Sequence, residues 1–240
     1  MNINIKQGDC LELMKEIPDK SIDMVLCDLP YGTTRNKWDS VIPLNELWGE
    51  YNRVIKDNGV IALFGQSPFD KVLGMSNLPM LRYEWVWQKD NGTGFLNAKK
   101  MPLKIHENIL IFYKKTPTYN PQMRKGFRPY KTLSGRKSTN WGDFNRVVTE
   151  SNGERYPIDV VTFKKDSGFH PTQKPVALLE YLIKTYTNEG EMVLDNCMGS
   201  GSTGVASVKT NRNFIGYELD QTYFETAKKR IEEALANDRT

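Results

Sequence analysis

The segment that follows the first strongly apolar run of the chain has the residue types of a binding site for an amino group. The apolar run 22–27 is followed by Asp28, Leu29, Pro30 and Tyr31. Such a run predicts a buried strand that ends in a turn, and proline stiffens that turn. Open α/β sheets bind ligands at the carboxyl ends of their strands. We predict that Asp28 and the Leu29 carbonyl accept the N–H groups of a planar aromatic amine while Tyr31 stacks on its ring.

A glycine-rich loop late in the chain has the residue types of a nucleotide-binding site. A short strand, 193–195, leads into this loop, and a helical stretch follows from Val205. Glycine lets the backbone approach a ligand closely, and the first turn of a helix offers unpaired N–H groups. The next strand ends at Glu218, an acid placed to accept hydrogen bonds from ribose hydroxyls. The chain has neither Gly-x-Gly-x-x-Gly in this loop nor a Gly-x-x-x-x-Gly-Lys-Ser/Thr phosphate loop, which disfavours NAD and ATP.

Five motifs, in this order, give the chain a resemblance to the β-class DNA amino-methyltransferases. They are Gly8-Asp9-Cys10, DLPYG at 28–32, HENILIFYK from His106, FHPTQKP from Phe169 and DNCMGSGSTGVA at 195–206. The chain departs from the family at Leu29, where a first proline is usual, and at Asn196-Cys197, where Pro-Phe is usual. The resemblance implies an α/β fold of the class I methyltransferase type. Its Rossmann-like, doubly wound, mostly parallel sheet would have seven strands, with an antiparallel strand at one edge.

The resemblance also implies that S-adenosylmethionine is the cofactor. The cofactor-binding candidates are Asp9, Cys10, Asp28, His170, Thr172, Lys174, Asp195, Gly199, Ser200, Gly201, Ser202, Thr203 and Glu218. Asp9 is expected at the adenine, Glu218 at the ribose and Lys174 at the methionine carboxylate. Two structural alternatives stay open, because Asp9 also suits a helix cap and His170 suits a packing or capping role before a proline.

The same motifs imply transfer of a methyl group to the exocyclic N6 amino group of adenine in DNA. Asp28 favours adenine, because the family members that act on the cytosine amino group more often have serine there. None of the three cysteines follows a proline, so the sequence does not indicate the cysteine nucleophile that methylation of the cytosine ring requires. The alternatives are N4 methylation of cytosine, a methyltransferase for RNA or a protein amide, and a DNA-binding module with an inactive cofactor fold.

The predicted mechanism places the target base outside the double helix. A paired base cannot present its amino group to a methyl donor, so it must flip out at a cost of a few kcal/mol. Stacking on Tyr31 would return roughly 1–3 kcal/mol. Asp28 and the Leu29 carbonyl would orient the amino nitrogen toward the methyl sulfonium, and catalysis would come mainly from alignment and from hydrogen bonds that strengthen as charge develops.

Basic residues are concentrated in one part of the chain. Residues 114–165 contain twelve Lys/Arg and four Asp/Glu, a net charge of +8, whereas the remainder has a net charge of −4. Basic and aromatic residues alternate there, a composition typical of phosphate contact and groove insertion, although a solvated basic loop is the alternative. In the family this position holds the target-recognition region. The candidate DNA-binding residues are Arg124, Lys125, Arg128, Lys131, Arg136, Lys137 and Asn140.

We therefore expect three segments: a catalytic half (1–115), an inserted target-recognition region (116–165) and a cofactor-binding half (166–240). No apolar stretch approaches the roughly 18 residues that span a bilayer, and the start lacks the apolar core of a signal peptide, so we expect a cytoplasmic protein. The three cysteines lack Cys-x-x-Cys spacing and are expected to be buried thiols without a metal. Double-stranded DNA is the expected partner, and the sequence leaves monomer and homodimer open.

Apolar periodicity predicts the elements that position these residues. Helices are expected at 11–17, 44–56, 69–75 and 223–235, with Gly59 ending the second helix and Pro175 as the first residue of another. Strands are expected at 24–28, 60–64, 83–88 and 105–113. Strands that alternate with helices in this way predict a doubly wound, largely parallel sheet.

Overall fold

The computed structural model describes residues 1–32, 41–134, 147–166, 168 and 173–238. The chain forms two compact units. The larger unit comprises Met1–Asn120 and Asp159–Thr240, and the smaller unit is Pro121–Ile158. None of the helices in the described residues combines the length and the apolar character that crossing a bilayer requires.

Strands and helices alternate along most of the chain. The strands are β1 (Ile3–Gln7), β2 (Ile22–Cys27), β3 (Ile55–Gly65), β4 (Leu81–Thr93), β5 (Lys104–Phe112), β6 (Tyr130–Ser134), β7 (Val147–Ser151), β8 (Val160–Thr162), β9 (Met192–Asp195) and β10 (Asn213–Glu218). The helices are α1 (Cys10–Met14), α2 (Leu44–Val54), α3 (Phe69–Ser76), α4 (Val176–Tyr186), α5 (Ser202–Lys209) and α6 (Gln221–Asp238). A 3₁₀ turn lies at Phe95–Asn97.

Eight strands of the larger unit form one sheet in the order β1-β10-β9-β2-β3-β5-β4-β8. Strands from β1 through β3 are parallel, as are β4 and β8, whereas β5 runs antiparallel to both of its neighbours. Alternate strand residues point to opposite faces of a sheet. Helices α4, α5 and α6 bury apolar residues on one face, and α1, α2 and α3 bury theirs on the other. The predicted doubly wound, mostly parallel α/β fold is confirmed.

Two details of the sheet differ from the expectation. The sheet has eight strands rather than seven, because Val160–Thr162 adds a parallel strand beyond β4. The antiparallel strand β5 lies inside the sheet and not at its edge, because β4 pairs with its outer side. This position matters for the site, because a strand with neighbours on both sides holds its side chains in fixed register.

Several predicted helix boundaries differ from the structure, since α1 ends at Met14 rather than at residue 17 and α6 runs from Gln221 to Asp238 rather than over 223–235. Two further helix boundaries are also wrong. Helix α2 does not continue to Gly59, because Ile55 already pairs with Ile22 as the first residue of β3. Burial of the Ile55 side chain beneath the sheet favours this extended backbone, and residues 56–59 bulge out before pairing resumes. Pro175 is the residue before α4 rather than its first residue, since its backbone is extended (ψ 129°).

The smaller unit is built around an antiparallel pair of strands. Strand β6 pairs with β7, with Tyr130 opposite Ser151. The Arg155 guanidinium lies 4.3 Å from the ring centroid of Tyr130 and 5.3 Å from that of Phe127, so one cation contacts two aromatic rings. These contacts hold the unit together in place of an apolar core, because none of its described residues has a buried apolar side chain.

Replacement of Gly201 by alanine is expected to destabilise the fold. Gly201 has a left-handed backbone (φ +78°), and an added Cβ would lie 2.9 Å from the Ala227 Cα, so the free energy of unfolding should fall by about 1–2 kcal/mol or more. Gly49 is the matched control, because it is exposed within α2 and an added Cβ would meet no atom within 4 Å. Gly49→Ala should raise stability by roughly 0.5–1 kcal/mol. Urea unfolding measures both, and equal shifts for the two variants would contradict this account.

Candidate active site

A cavity of about 400 Å³ opens in the larger unit where the loops after β1, β2, β9 and β10 meet. The predicted site residues in its lining are Asp9, Cys10, Asp28, Leu29, Pro30, Tyr31, Lys174, Asp195, Gly199, Ser200, Ser202, Thr203 and Glu218. Gly201 lies in the same loop as the N-cap of α5. His170 and Thr172 lie outside the described residues. The structure therefore brings the amine-site candidates and most cofactor candidates to one cavity.

The glycine-rich loop between β9 and α5 is held by the carboxylate at the end of β10. The backbone N–H of Gly199 donates to Glu218 Oε2 and that of Asp220 donates to Oε1, both at 2.8 Å. Each carboxylate oxygen keeps a second lone pair for a ligand. Burial raises the pKa of Glu218 above its ordinary value, although these two backbone hydrogen bonds oppose the shift. Glu218 thus shapes the loop and faces the cavity at the same time.

Arg230, which is not among the site residues predicted from the sequence, contacts the same loop on the side of α6. Its buried guanidinium donates to the Ser200 carbonyl at 2.5 Å, to Ser200 Oγ at 3.0 Å and to Ser202 Oγ at 3.2 Å. The one signal in the sequence is spacing, since Arg230 follows the buried Ala227 by three residues on the inward side of α6. All three contacts are made by Nη1, and one charged nitrogen shared among three oxygens of the loop restrains the loop more than a single hydrogen bond does.

Asp195 is a buried carboxylate in the cavity wall. Its Oδ1 accepts a hydrogen bond from the Cys197 backbone N–H at 3.1 Å. Burial raises the pKa of Asp195 to about 6, against the opposing effect of a hydrogen bond from Thr203. Asp195 therefore changes from neutral to anionic within an experimentally convenient pH range.

Two of the three cysteines contact Asn196, one of the two residues that replace the usual Pro-Phe. Its amide nitrogen lies 3.6 Å from Cys10 Sγ and 3.4 Å from Cys197 Sγ, while its oxygen accepts a hydrogen bond from the Tyr51 hydroxyl at 2.6 Å. All three thiols are free. Cys27 is fully buried, which raises the pKa of its thiol to about 12. Asn196 thus makes hydrogen bonds at a position where the family usually has an apolar residue.

Asp9 serves as the N-cap of α1. Its Oδ1 accepts hydrogen bonds from the backbone N–H groups of Leu11 at 2.8 Å and Glu12 at 3.3 Å. The capping alternative is therefore what the structure contains, and Asp9 lies in the cavity lining as well. Capping leaves its other carboxylate oxygen available to a ligand.

Asp28 and Tyr31 are joined directly. The Tyr31 hydroxyl donates to Asp28 Oδ1 at 2.7 Å, and the Tyr31 ring stacks on Phe69 with a centroid distance of 4.9 Å and an interplanar angle of 28°. Burial raises the pKa of Tyr31 well above its usual value, so the phenol keeps its proton. Leu29 is buried against the core of the α1–α3 face, which anchors the turn that a first proline would otherwise stiffen.

Lys174 approaches Asp28 from the segment before α4. Its ammonium forms an ion pair with Asp28 Oδ2 and another, at 3.3 Å, with Glu107 Oε2 on β5. This ammonium is expected from the sequence at the cofactor carboxylate, whereas in the structure it lies between two protein carboxylates in the same cavity. Burial would lower the pKa of Lys174, but the two carboxylates outweigh burial and raise it. Lys174 is therefore a fixed cation.

Glu107 belongs to the HENILIFYK motif but is not among the site residues predicted from the sequence. It also pairs with Lys89 on β4 and accepts a hydrogen bond from the Gln66 side chain at 2.6 Å. Burial alone would raise the pKa of Glu107, but Lys174 and Lys89 bring it down to about 2. Asp28 differs, because burial and the charge of Glu107 raise its pKa despite Lys174. Of the two carboxylates, Asp28 is thus the better proton acceptor.

Four of the predicted DNA-binding residues lie in the described part of the smaller unit. Arg124 donates to the Tyr156 carbonyl at 3.0 Å. Surface ion pairs join Lys125 to Glu154 at 3.7 Å and Lys131 to Glu150 at 3.3 Å. The Arg128 side chain is exposed. The predicted residues Arg136, Lys137 and Asn140 lie outside the described residues.

Comparison with known proteins yields one consistent family. Two similar relatives are the type II methyltransferase M2.MboI of Moraxella bovis, 28% identical over 97% of this chain and 88% of its own length, and the DNA adenine methyltransferase YhdJ of Escherichia coli K12, 29% identical over 96% and 83%. The crystal structure of an M1.HpyAVI–SAM complex superposes with a TM-score of 0.67 at 26% identity, covering 95% of this chain and 99% of that one.

A likeness in fold alone extends to the cytosine-N4-specific PvuII DNA methyltransferase. Its TM-score is 0.71 at 15% identity, and the match covers 99% of this chain and 91% of that one. The family model described as DNA methylase, of the N6/N4 methyltransferase type, matches residues 22–229. That match includes the amine-site motif, the basic region and the cofactor loop, and the chain belongs to this DNA methylase family.

Proposed function

We propose that this protein transfers a methyl group from S-adenosylmethionine to the N6 amino group of adenine in DNA. The observation that carries the proposal is the single cavity in which the Asp28–Tyr31 pair faces the Gly199–Thr203 loop. The adenine specificity is supported by the relative named as a DNA adenine methyltransferase and by aspartate at position 28. The cytoplasmic location stays a prediction, and the choice between monomer and homodimer stays open.

The proposed cofactor site uses the carboxylates and the loop of the larger unit. Glu218 accepts from the ribose hydroxyls, Asp9 lies at the adenine end, and the loop amides face the methionine part. S-adenosylmethionine supplies a methyl group on a positively charged sulfur. The anionic form of Asp195, four residues before the loop glycine Gly199, favours a cationic ligand. Arg230 keeps the loop in the geometry that this contact requires.

The proposed target site binds the base after it has left the helix. Asp28 and the Leu29 carbonyl accept the two amino hydrogens, which directs the nitrogen lone pair toward the methyl group. Tyr31, backed by Phe69, presents an aromatic surface for the adenine ring. As methyl transfer puts positive charge on nitrogen, Asp28 stabilises that charge and is placed to take the surplus proton.

The Lys174–Glu107 pair fixes the position of Asp28 in this mechanism. An ammonium held by two carboxylates cannot move away from one without exposing a buried charge. The raised pKa of Asp28 makes it a stronger proton acceptor than an exposed aspartate. The fixed position and the raised pKa both belong to the Asp28 carboxylate, which is the group that receives the target amine.

The basic region 116–165 is proposed as the target-recognition region. Its exposed cations, including Lys125, Arg128 and Lys131, suit contact with the DNA backbone, while its aromatic residues suit groove insertion. We further propose that 1–115 and 166–240 are the catalytic and cofactor-binding halves of one methyltransferase domain.

Removal of the Asp28 carboxylate tests the proposed chemistry. Asp28→Ala should lower turnover on DNA by at least about 100-fold, because it removes the acceptor that aligns the amine. The cofactor dissociation constant should stay within about threefold, since the loop contacts remain. Tritium transfer from labelled S-adenosylmethionine measures turnover, and calorimetry measures binding. Asp57→Ala, an exposed carboxylate paired with Lys20 at the surface, is the control. Retained turnover in Asp28→Ala would contradict the proposal.

Cofactor affinity should depend on pH through Asp195. Because its pKa is raised to about 6, Asp195 is anionic at pH 7 and largely protonated at pH 5. Loss of that charge should weaken binding of the cationic cofactor about tenfold over this interval. Calorimetric titrations at several pH values test this, with Asp195→Asn expected to be weak and nearly independent of pH. An unchanged pH dependence in Asp195→Asn would assign the effect to another group.

Arg230→Ala should weaken cofactor binding about tenfold or more, because the charge-assisted contacts of Nη1 with three oxygens of the loop are lost. Lys229→Ala is the matched control, since Lys229 is the exposed neighbour on the same helix. Comparison of the cofactor dissociation constants, with unfolding curves for both variants, separates loop positioning from global stability. Equal affinities for the two variants would show that Arg230 does not position the loop.

A further inference from the structure

The hairpin of β4 and β5 ends in a tip, residues 94–105, that carries the most exposed large apolar side chains in the described chain. Leu96 is 84% exposed and Phe95 is 77% exposed. Met101 and Leu103 are half exposed on the same tip. Burying these apolar side chains against a partner would be favourable, and an exposed apolar cluster of this kind marks an interaction surface.

The tip is an ordered turn. Gly94 has a left-handed backbone (φ +87°), and the Asn97 N–H donates to its carbonyl at 2.9 Å. The Met101 N–H in turn donates to the Asn97 carbonyl at 3.0 Å. The apolar side chains are therefore presented by a folded backbone, which lowers the entropy cost of using them in binding.

The tip begins at the candidate active site. Glu107 on β5 pairs with Lys174 in the cavity. Lys104, at the start of β5, lies three residues before Glu107, which is roughly 10 Å along the strand. The Lys104 ammonium also donates to the Ser67 carbonyl at 3.0 Å, in the loop after β3. The tip therefore projects from the edge of the sheet at which Asp28 is located.

The charge of the tip decides what kind of partner fits. Lys99, Lys100 and Lys104 are exposed on it, and residues 94–105 contain no acidic residue. The net charge of +3 opposes a symmetric contact with a second copy of the same tip and complements a polyanion. Apolar wedges flanked by cations are the residue set that enters a DNA groove and separates base steps.

We propose that the hairpin tip is a second DNA-contacting surface, which places Phe95 and Leu96 in the groove beside the target base and Lys99 and Lys100 on the flanking phosphates. This inference rests on the proposed function and is independent of the basic region 116–165. The apolar pair would occupy space vacated in the base stack, which favours the flipped state.

Salt-dependent DNA binding tests the cationic part of the tip without any need for methylation. Each phosphate contact adds about 0.9 to the slope of log Kd against log salt concentration, so Lys99→Ala/Lys100→Ala should lower that slope by about 2 on a 30-base-pair duplex. Lys228→Ala/Lys229→Ala, an equal loss of exposed charge on α6, is the control and should change it little. Equal slopes for the two double variants would overturn the proposal.

Methylation then tests the apolar pair. Once the modified sequence has been read from genomic DNA treated with the protein, Phe95→Ser/Leu96→Ser should lower kcat/KM on a matched duplex at least about tenfold. The loss should be small on a duplex with an abasic site opposite the target adenine, where flipping is easy. Equal losses on both duplexes would overturn the proposal that Phe95 and Leu96 enter the DNA groove. A change from dimer to monomer in sedimentation velocity would also overturn it, because the two side chains would then belong to a contact between protein copies. Absence of methylation by the unsubstituted protein would count against the proposed function and leave the salt test decisive for the tip.

Discussion

The buried ammonium of Lys174 is the interaction on which the rest of the site depends. It joins Asp28, at the end of β2, to Glu107, on β5, and it enters from the segment before α4. A buried charge that loses a partner costs about 3–5 kcal/mol, so the three segments are constrained to keep their positions. Lys89 pairs with the other side of Glu107, so four charged groups alternate in sign in the order Asp28, Lys174, Glu107 and Lys89. We call these four groups the row of charges. Because the row is neutral as a whole, it can lie in the protein interior beside a substrate cavity.

The row of charges depends on the position of the antiparallel strand inside the sheet. Between β3 and β4, strand β5 brings Glu107 to the sheet edge at which β2 ends, close enough for one lysine to serve both carboxylates. The cofactor side has an equivalent arrangement on a smaller scale, in which Glu218 and Arg230 hold opposite sides of one glycine-rich loop. In both halves, charged groups buried beneath the cavity fix the backbone that faces it.

The features that could be predicted from the sequence are those determined by neighbouring residues in the chain. The apolar run before Asp28 forms a strand of the parallel sheet, and the glycine-rich loop opens α5 with a left-handed Gly201. The convergence of these two segments at the carboxyl ends of parallel strands follows from the rule for open α/β sheets. Leucine in place of the usual proline at position 29 also has a local explanation, because burial of the Leu29 side chain anchors the turn that a proline would stiffen.

The unpredicted features are those set by contacts between distant residues. Lys174 and Asp28 are 146 positions apart, so no spacing pattern reveals that the lysine pairs with this carboxylate. Glu107 lies between the polar residues His106 and Asn108 of β5, so no pattern in the strand sets it apart. Arg230 lies in a helix in which Glu225, Lys228, Lys229, Glu232 and Glu233 are exposed. The end of α2 was likewise decided by burial of Ile55 in the sheet. Each case required knowledge of which strands become neighbours.

The most direct test of the central claim is the identity of the methylated nucleoside. The protein would be incubated with unmethylated genomic DNA and S-adenosylmethionine carrying an isotopically labelled methyl group, and the DNA would be digested and analysed by mass spectrometry. The account predicts label on the exocyclic nitrogen of adenosine. Label on the cytosine amino group, or no labelled nucleoside despite measurable cofactor binding, would contradict it.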